Sequence, residues 1–462
     1  MVAAALLGVG VSTAPKAKAA NLYWDNDATT SGNNTTTGAN LGAGGTWAAT
    51  DAKWYDGTND VAWTNTNNDI AYFTGTAGTV TLGTSFTVGG LYFGTDAYKL
   101  TGNTITMAGA PTMYAMLGQL QQIDSILAGR AGFTKSGSGS IKLTNASNSF
   151  IGTTTITDGI IAITSASALG SSTTPLIIGY GGGKGFSGGQ LFIQGTIASA
   201  GLNFARDITA NGYGPNNLGS GSIISFGNNT LSGSVTFASS NESELVSVGG
   251  LLTFAGTLSI GGNTAIIGST NSYGVANYLV SGILAASSTS AQLKKYGNTS
   301  TLIIAASSAS GYMGTYRAEQ TGTIRFTDPS QTGSNSNTTS NGAFQMYGGY
   351  LEFRAGSVSG GTNNWGKTLY VANSDTNAAY VQSAAGLAVI NQVNSFSDYS
   401  IYGGYKGTLS GRNGAGFTFA TTSMASANSG SNSATIISAQ GTGTVTFTGN
   451  VWNNTYTGAN IT

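Results

Sequence analysis

Cysteine and histidine are both absent from this chain of 462 residues. Without cysteine there is no disulfide, thiol nucleophile or thiolate metal site. Without histidine there is no Ser-His-Asp or Cys-His catalysis and no imidazole metal ligand. Charged residues make up 7% of the chain, against roughly 25% in an ordinary soluble domain. Lys+Arg and Asp+Glu number 17 each, so the formal net charge is zero. No basic field exists to hold a phosphate backbone, which excludes a nucleic-acid partner. Weak net charge also means weak colloidal repulsion, and favours self-association or attachment to a surface. No apolar run is long enough to span a bilayer, and no phosphate-binding G-x-x-x-x-G-K-[ST] string occurs.

What the chain has is glycine, small polar residues and regular alternation. There are 71 Gly but only 5 Pro, with 40% hydrophobic and 10% aromatic residues. That apolar content separates the chain from disordered polymers. A punctuated unit is clearest at Gly132-Phe133-Thr134-Lys135-Ser136-Gly137-Ser138-Gly139-Ser140-Ile141-Lys142-Leu143, continuing as Gly152-Thr153-Thr154-Thr155-Ile156-Thr157-Asp158-Gly159-Ile160-Ile161-Ala162-Ile163. Apolar residues alternate with Thr, Ser and Lys, and a Gly or Asn interrupts every few residues, which predicts short strands joined by tight turns. The order recurs with insertions from Leu293 to Phe326 and again from Gly441. A recurring unit predicts an all-β stacked solenoid. Val, Ile, Leu and Phe would point into a narrow core, Thr and Ser outward, and Asn side chains would bond between coils. With coils of about 20–25 residues, each adding about 4.8 Å, the rod would be on the order of 90 Å long.

Three regions follow. Residues 1–19 read as a secretory leader, with an apolar stretch from Met1 to Val11 and an Ala17-Lys18-Ala19 cleavage site but no preceding basic residue. Residues 20–110 hold Trp24, Trp47, Trp54 and Trp63, four of the six tryptophans, and are expected to cap the open end of the first coil. Residues 111–462 are expected to be solenoid coils, ending inside a repeat. Within them Met116–Leu127 could be an amphipathic helix, but Gly118 and the β context favour strand.

The unit G-F-T-K-x-G-x-G-x-I-x-L followed by x-N-x-F-x-G-x-T-x-I-x-x-G-x-I resembles the autotransporter-associated β-strand repeat. The Tyr23-Trp24-Asp25 block, the Gly57-Thr58-Asn59-Asp60-Val61-Ala62-Trp63 block and the segment from Gly75 to Gly83 resemble the start of exported proteins that carry it. The resemblance is strong over 20–170, fair near 293–326 and 441–458, and compositional elsewhere. It implies a right-handed parallel β-helix, displayed or released at the bacterial surface as a passenger. The chain is then a fragment, and any outer-membrane β-barrel translocator lies outside these residues.

Candidate chemistry is sparse. Six of the carboxylates fall between Asp25 and Asp69, with Asp25-Asn26-Asp27 the closest pair; a calcium site there lacks the Gly and Glu positions of an EF-hand. Glu242-Ser243-Glu244 reads as solvated edge charge, Arg317-Ala318-Glu319 as a surface ion pair. Lys135 and Lys295 recur at one place in their units and read as turn or exposed-edge residues. The sequence therefore assigns no catalytic, cofactor-binding or metal-ligating residue. It predicts a non-enzymatic, secreted or cell-surface solenoid acting as adhesin, spacer or matrix protein, with host or matrix glycans, proteins or further copies of itself as partners. The alternative is a polysaccharide-active or carbohydrate-binding β-helix, with Trp24, Trp47, Trp54 and Trp63 as a sugar-stacking platform.

Overall fold

Alternation decides the local structure. In Ser140–Leu143 the burial runs in step with the sequence, Ile141 and Leu143 buried and Ser140 and Lys142 half-exposed, the period-two signature of a strand with one wet face. The computed structural model describes residues 19–354, apart from 117, 172, 180–187, 199–200, 216–220, 239–241, 269–275, 298–299, 310, 328–341, 343 and 348–349, and beyond 354 the strands between 362 and 453. The leader-like residues 1–18 lie outside the described residues, as do 454–462, where the third copy of the repeat ends. A 3-10 turn lies at Ala166–Leu169. The chain is all-β, a parallel β-solenoid, as the alternation predicted.

Each coil lays its strands on equivalent strands of the coil before. One wall climbs in parallel register from Asn21–Trp24 through Ile70–Phe73, Phe86–Phe93, Ile105–Ala115 and Phe133–Ser136 to Ile283–Ala285. A second wall climbs from Gly45–Trp47 through Thr79–Leu82 and Lys99–Gly102 to Val451–Asn453. A third runs from Asn203–Phe204 to Ile436–Gly441. A fourth, shorter ladder joins Thr362–Asn364 to Val445–Phe447. Met116–Leu127 resolves as strand at Leu120–Ile123, paired with both neighbouring coils. Coil length is less regular than expected: Gln122, Lys142 and Ala162 stack at a step of 20 residues, whereas Phe192 and Ile224 stack at a step of 32. The longer steps take up surface loops.

Two antiparallel strands break the pattern at the N-terminal end. Trp54–Tyr55 pairs antiparallel with Asn21–Trp24 and then with Asp60–Val61. They cover the edge of the first wall, where unpaired N–H and C=O groups would otherwise invite another chain.

Turns are stitched from coil to coil. The Asn148 side chain accepts from the Leu127 amide at 2.8 Å and donates to the Ala168 carbonyl at 2.7 Å, tying together the coils on either side. Asn228 does the same between Leu251 and Ile197. The amides thus bond to neighbouring backbone rather than to each other; around Asn148 this satisfies buried turn groups, while the Asn228 bond to Ile197 lies at the surface. Gly132 and Gly152 lie back to back in successive turns, where a Cβ on either would run into the other's backbone. Gly137 and Gly159 turn with φ of 71° and 68°, a region glycine enters without strain.

Lys135 and Lys295 correct the exposed-edge reading, since both are fully buried. Lys135 Nζ donates to the carbonyls of Ser136, Gly137 and Asp158 at 2.9, 2.6 and 3.1 Å. Lys295 Nζ donates to those of Tyr296 and Gly297 at 3.0 and 3.2 Å and sits 5.5 Å above the Tyr278 ring. Each ammonium fills the inside of a turn whose carbonyls converge. Burial holds Lys135 down to about 8 and Lys295 down to about 7. The folded chain thus releases these protons before the unfolded chain, whose lysines titrate near 10.4. Their contribution to stability is full above that value and is lost as pH falls through about 8 and about 7. Urea denaturation midpoints should therefore rise between pH 6 and pH 9.5. Lys135→Met should flatten part of that rise and, by stranding three carbonyls, cost about 1–3 kcal/mol at pH 7.

Candidate functional surface

The tryptophans form a core. In Asn21–Trp24 the alternation turns Leu22 and Trp24 inward and Tyr23 outward. Trp24 packs edge-on to Trp54 at 5.4 Å, and Trp54 lies 4.7 Å from both Trp47 and Trp63. Trp47 stacks on Phe86 at 4.3 Å with planes 13° apart. Phe73 carries the column on to Phe93 at 5.3 Å. Trp24 Nε1 donates to the Ala43 carbonyl at 2.8 Å and Trp63 Nε1 to that of Thr87 at 3.1 Å. The Nε1 groups of Trp47 and Trp54 are buried without a hydrogen-bond partner, among rings whose edge-to-face packing suits their quadrupoles. Trp24, Trp47 and Trp54 are 0% exposed and Trp63 4%. A sugar has no ring face to reach on any of them, so the sugar-stacking platform is corrected to a packed aromatic core.

The exposed aromatics stand one residue away. Tyr23, Tyr72, Tyr92 and Tyr114 occupy outward positions on the first wall and pair in register from coil to coil. Their rings form a column along the solenoid axis, with centroids 4.8, 4.3 and 4.5 Å apart and planes 40°, 20° and 4° from parallel. All four are half-buried. Each ring covers the face of the next and leaves its edge to solvent. Ser136 follows Tyr114 in the same row and ends the column. Burial, then the neighbouring tyrosines, raises Tyr72 and Tyr92 above the ordinary phenol range. Beside this column runs Ile70, Gly90, Thr112, Thr134 and Thr155, a flat and uncharged row. The sequence reading missed this column. Its signal is present in Leu22-Tyr23-Trp24, Ala71-Tyr72-Phe73, Leu91-Tyr92-Phe93 and Met113-Tyr114-Ala115, where one outward tyrosine recurs between inward residues.

The acidic residues take separate roles. Asp25 is buried and accepts from Asn33 Nδ2 at 2.6 Å. Asp27 is exposed and accepts from the amide and hydroxyl of Thr29, while Asn26 Oδ1 accepts from Lys53 at 3.1 Å. No group of three or more acidic, His or Cys side chains among the described residues is arranged to hold a metal ion. Burial pushes the Asp25 carboxyl up to about 6, aided by the charge of Asp27 and opposed by the Asn33 hydrogen bond. Glu242 is partly exposed, and binds Lys294 and the Tyr213 hydroxyl. Glu244, by contrast, is fully buried, so solvated edge charge describes only the first of the pair. Arg317 and Glu319 form the expected ion pair, but with both side chains largely buried rather than on the surface.

Comparison with known proteins adds one relative. Over 252 residues the chain is 32% identical to the adhesin BmaC autotransporter of Brucella suis biovar 1 (strain 1330), an alignment covering 53% of this chain and 7% of that protein. The chain is a parallel β-solenoid that is similar over about half its length to part of an autotransporter adhesin. It spans only a small part of the relative's length. No family model matches it, and no solved structure does.

In this solenoid the aromatic core should govern the N-terminal coils. Trp47→Ala removes the ring that touches Trp54, Trp63 and Phe86, and should cost about 3–5 kcal/mol and abolish the near-UV dichroism of the cluster. Asp25 has the opposite pH sign to the lysines. A carboxyl raised in the folded state contributes fully below about pH 4 and loses that contribution as pH rises through about 6. Asp25→Asn should accordingly be more stable than the parent chain at pH 7.5, with the difference closing by pH 4 in thermal melts.

Proposed function

We propose that this chain is a non-enzymatic segment of an exported bacterial surface protein, a rigid rod that holds adhesive surface away from the cell. The observation that carries the reading is the 32% identity over 252 residues to an autotransporter adhesin, joined to the parallel solenoid. Physical features support it. The outward rows of the first wall at Tyr23 to Tyr114 and Ile70 to Thr155 carry no charge, which favours broad contact over steered encounter. In this reading residues 20–110 cap the rod and the coils beyond extend it, the protein is secreted or held at the cell surface, and its partners are host or matrix glycans or glycoproteins. Any membrane anchor would come from a β-barrel outside these residues.

The reading is tested by coating beads with the purified chain and counting those retained on epithelial monolayers and on immobilised matrix glycoproteins. Retention well above albumin-coated beads on at least one surface is expected. Retention equal to albumin on every surface would remove the adhesive role and leave a spacer.

A further inference from the structure

The tyrosine column has a chemistry that adhesion does not use. Parallel in-register pairing sets Tyr72 opposite Tyr92 and Tyr92 opposite Tyr114, so like atoms of successive rings face each other. The centroids are 4.3 and 4.5 Å apart and the planes within 20° and 4° of parallel. The ring edges reach solvent at half-buried positions. The chain has no cysteine, so nothing in it can join one coil to the next by a disulfide. We propose that Tyr72, Tyr92 and Tyr114 form an oxidative cross-linking site, where a haem peroxidase with hydrogen peroxide couples adjacent rings into dityrosine and joins successive coils covalently.

The reaction balances within the pair. Each phenol loses its O–H hydrogen atom to the oxidant, and the unpaired spin spreads onto the carbons ortho to oxygen. A carbon–carbon bond forms between two facing ortho carbons. Each of those carbons then loses its proton, and both phenol hydroxyls are restored. The pair has given up two electrons and two protons, which reduce one hydrogen peroxide to two waters.

Placement makes these rings the favoured site. A tyrosyl radical couples only if a second ring is already beside it, and holding both in position replaces a bimolecular encounter by a local one. Tyr23 is less suited, 4.8 Å from Tyr72 and tilted by 40°. Tyr312 and Tyr316 provide an internal contrast. Their centroids are 4.5 Å apart, yet both are fully buried, beyond the reach of an enzyme-bound oxidant.

The test treats the dilute chain with a haem peroxidase and hydrogen peroxide, isolates the monomer and maps cross-linked peptides by mass spectrometry. Tyr72–Tyr92 and Tyr92–Tyr114 links should dominate, each lowering the mass by two hydrogen atoms, with dityrosine fluorescence in the monomer. Tyr92→Phe keeps the ring stack and should keep the parent's circular dichroism while losing both links and returning the monomer's fluorescence to the untreated level. A treated monomer without dityrosine, unchanged fluorescence in Tyr92→Phe, or Tyr312–Tyr316 links in equal yield would each overturn the proposal.

Discussion

Parallel in-register stacking at one strand spacing, about 4.8 Å, is the constraint on which everything else here depends. It places each residue against the residue at the same position one coil away. A side chain is therefore tolerated only if it packs against its own kind or against a neighbour that complements it. Inward, this produces the columns of Ile141, Ile161 and Leu191 and of Phe73 and Phe93. Outward, the same rule lines up four tyrosines and, beside them, a row of threonines. Like charges stacked at the same spacing repel, and where Lys294 faces Arg317 in register each is paired with a carboxylate, Glu242 and Glu319. That gives a physical reason for a chain with only 7% charged residues.

The constraint also explains where polar groups go inside. Turns stack as closely as strands, so their carbonyls and amides are buried and need partners. Asn148 supplies them with one donor and one acceptor across neighbouring coils, and Asn228 does so with its bond to Ile197 at the surface. Lys135 and Lys295 do so with an ammonium inside a turn. Burying an amine is costly, and its depressed pKa is the mark of that cost; the converging carbonyls offset it. At the first described coil the chain departs from parallel pairing. The antiparallel strands at Trp54 and Asp60 cover its edge, and four indoles close the core under them.

The fold was largely legible in the sequence because alternation and glycine spacing act locally. Phe133-Thr134-Lys135 and Ser140-Ile141-Lys142-Leu143 announce their strands residue by residue, and burial follows that order with one exception. Lys135 occupies an inward position, where a charged type signals an outward one, and only the carbonyl cage of its turn reverses the inference. Coil length was less legible, since loops of any length return the chain to the same register. The surface was the least legible of all. Four tryptophans in the first region fit a capping core or, alternatively, a sugar-binding platform in the linear chain, and packing puts them inside. The tyrosines, spread over 92 residues from Tyr23 to Tyr114, show no cluster in the linear chain.

The sequence by itself determined strand, turn and solenoid, because period-two burial and the φ freedom of glycine are properties of neighbouring residues. It also determined the absence of thiol and imidazole chemistry, because that needs only a count. The tertiary structure alone decided which aromatics face water, which lysines are buried and which tyrosines touch. Those outcomes depend on register between strands as little as 19 residues apart, as at Phe86 and Ile105, and as much as 49, as at Tyr23 and Tyr72, and a shift of one residue would exchange inside for surface.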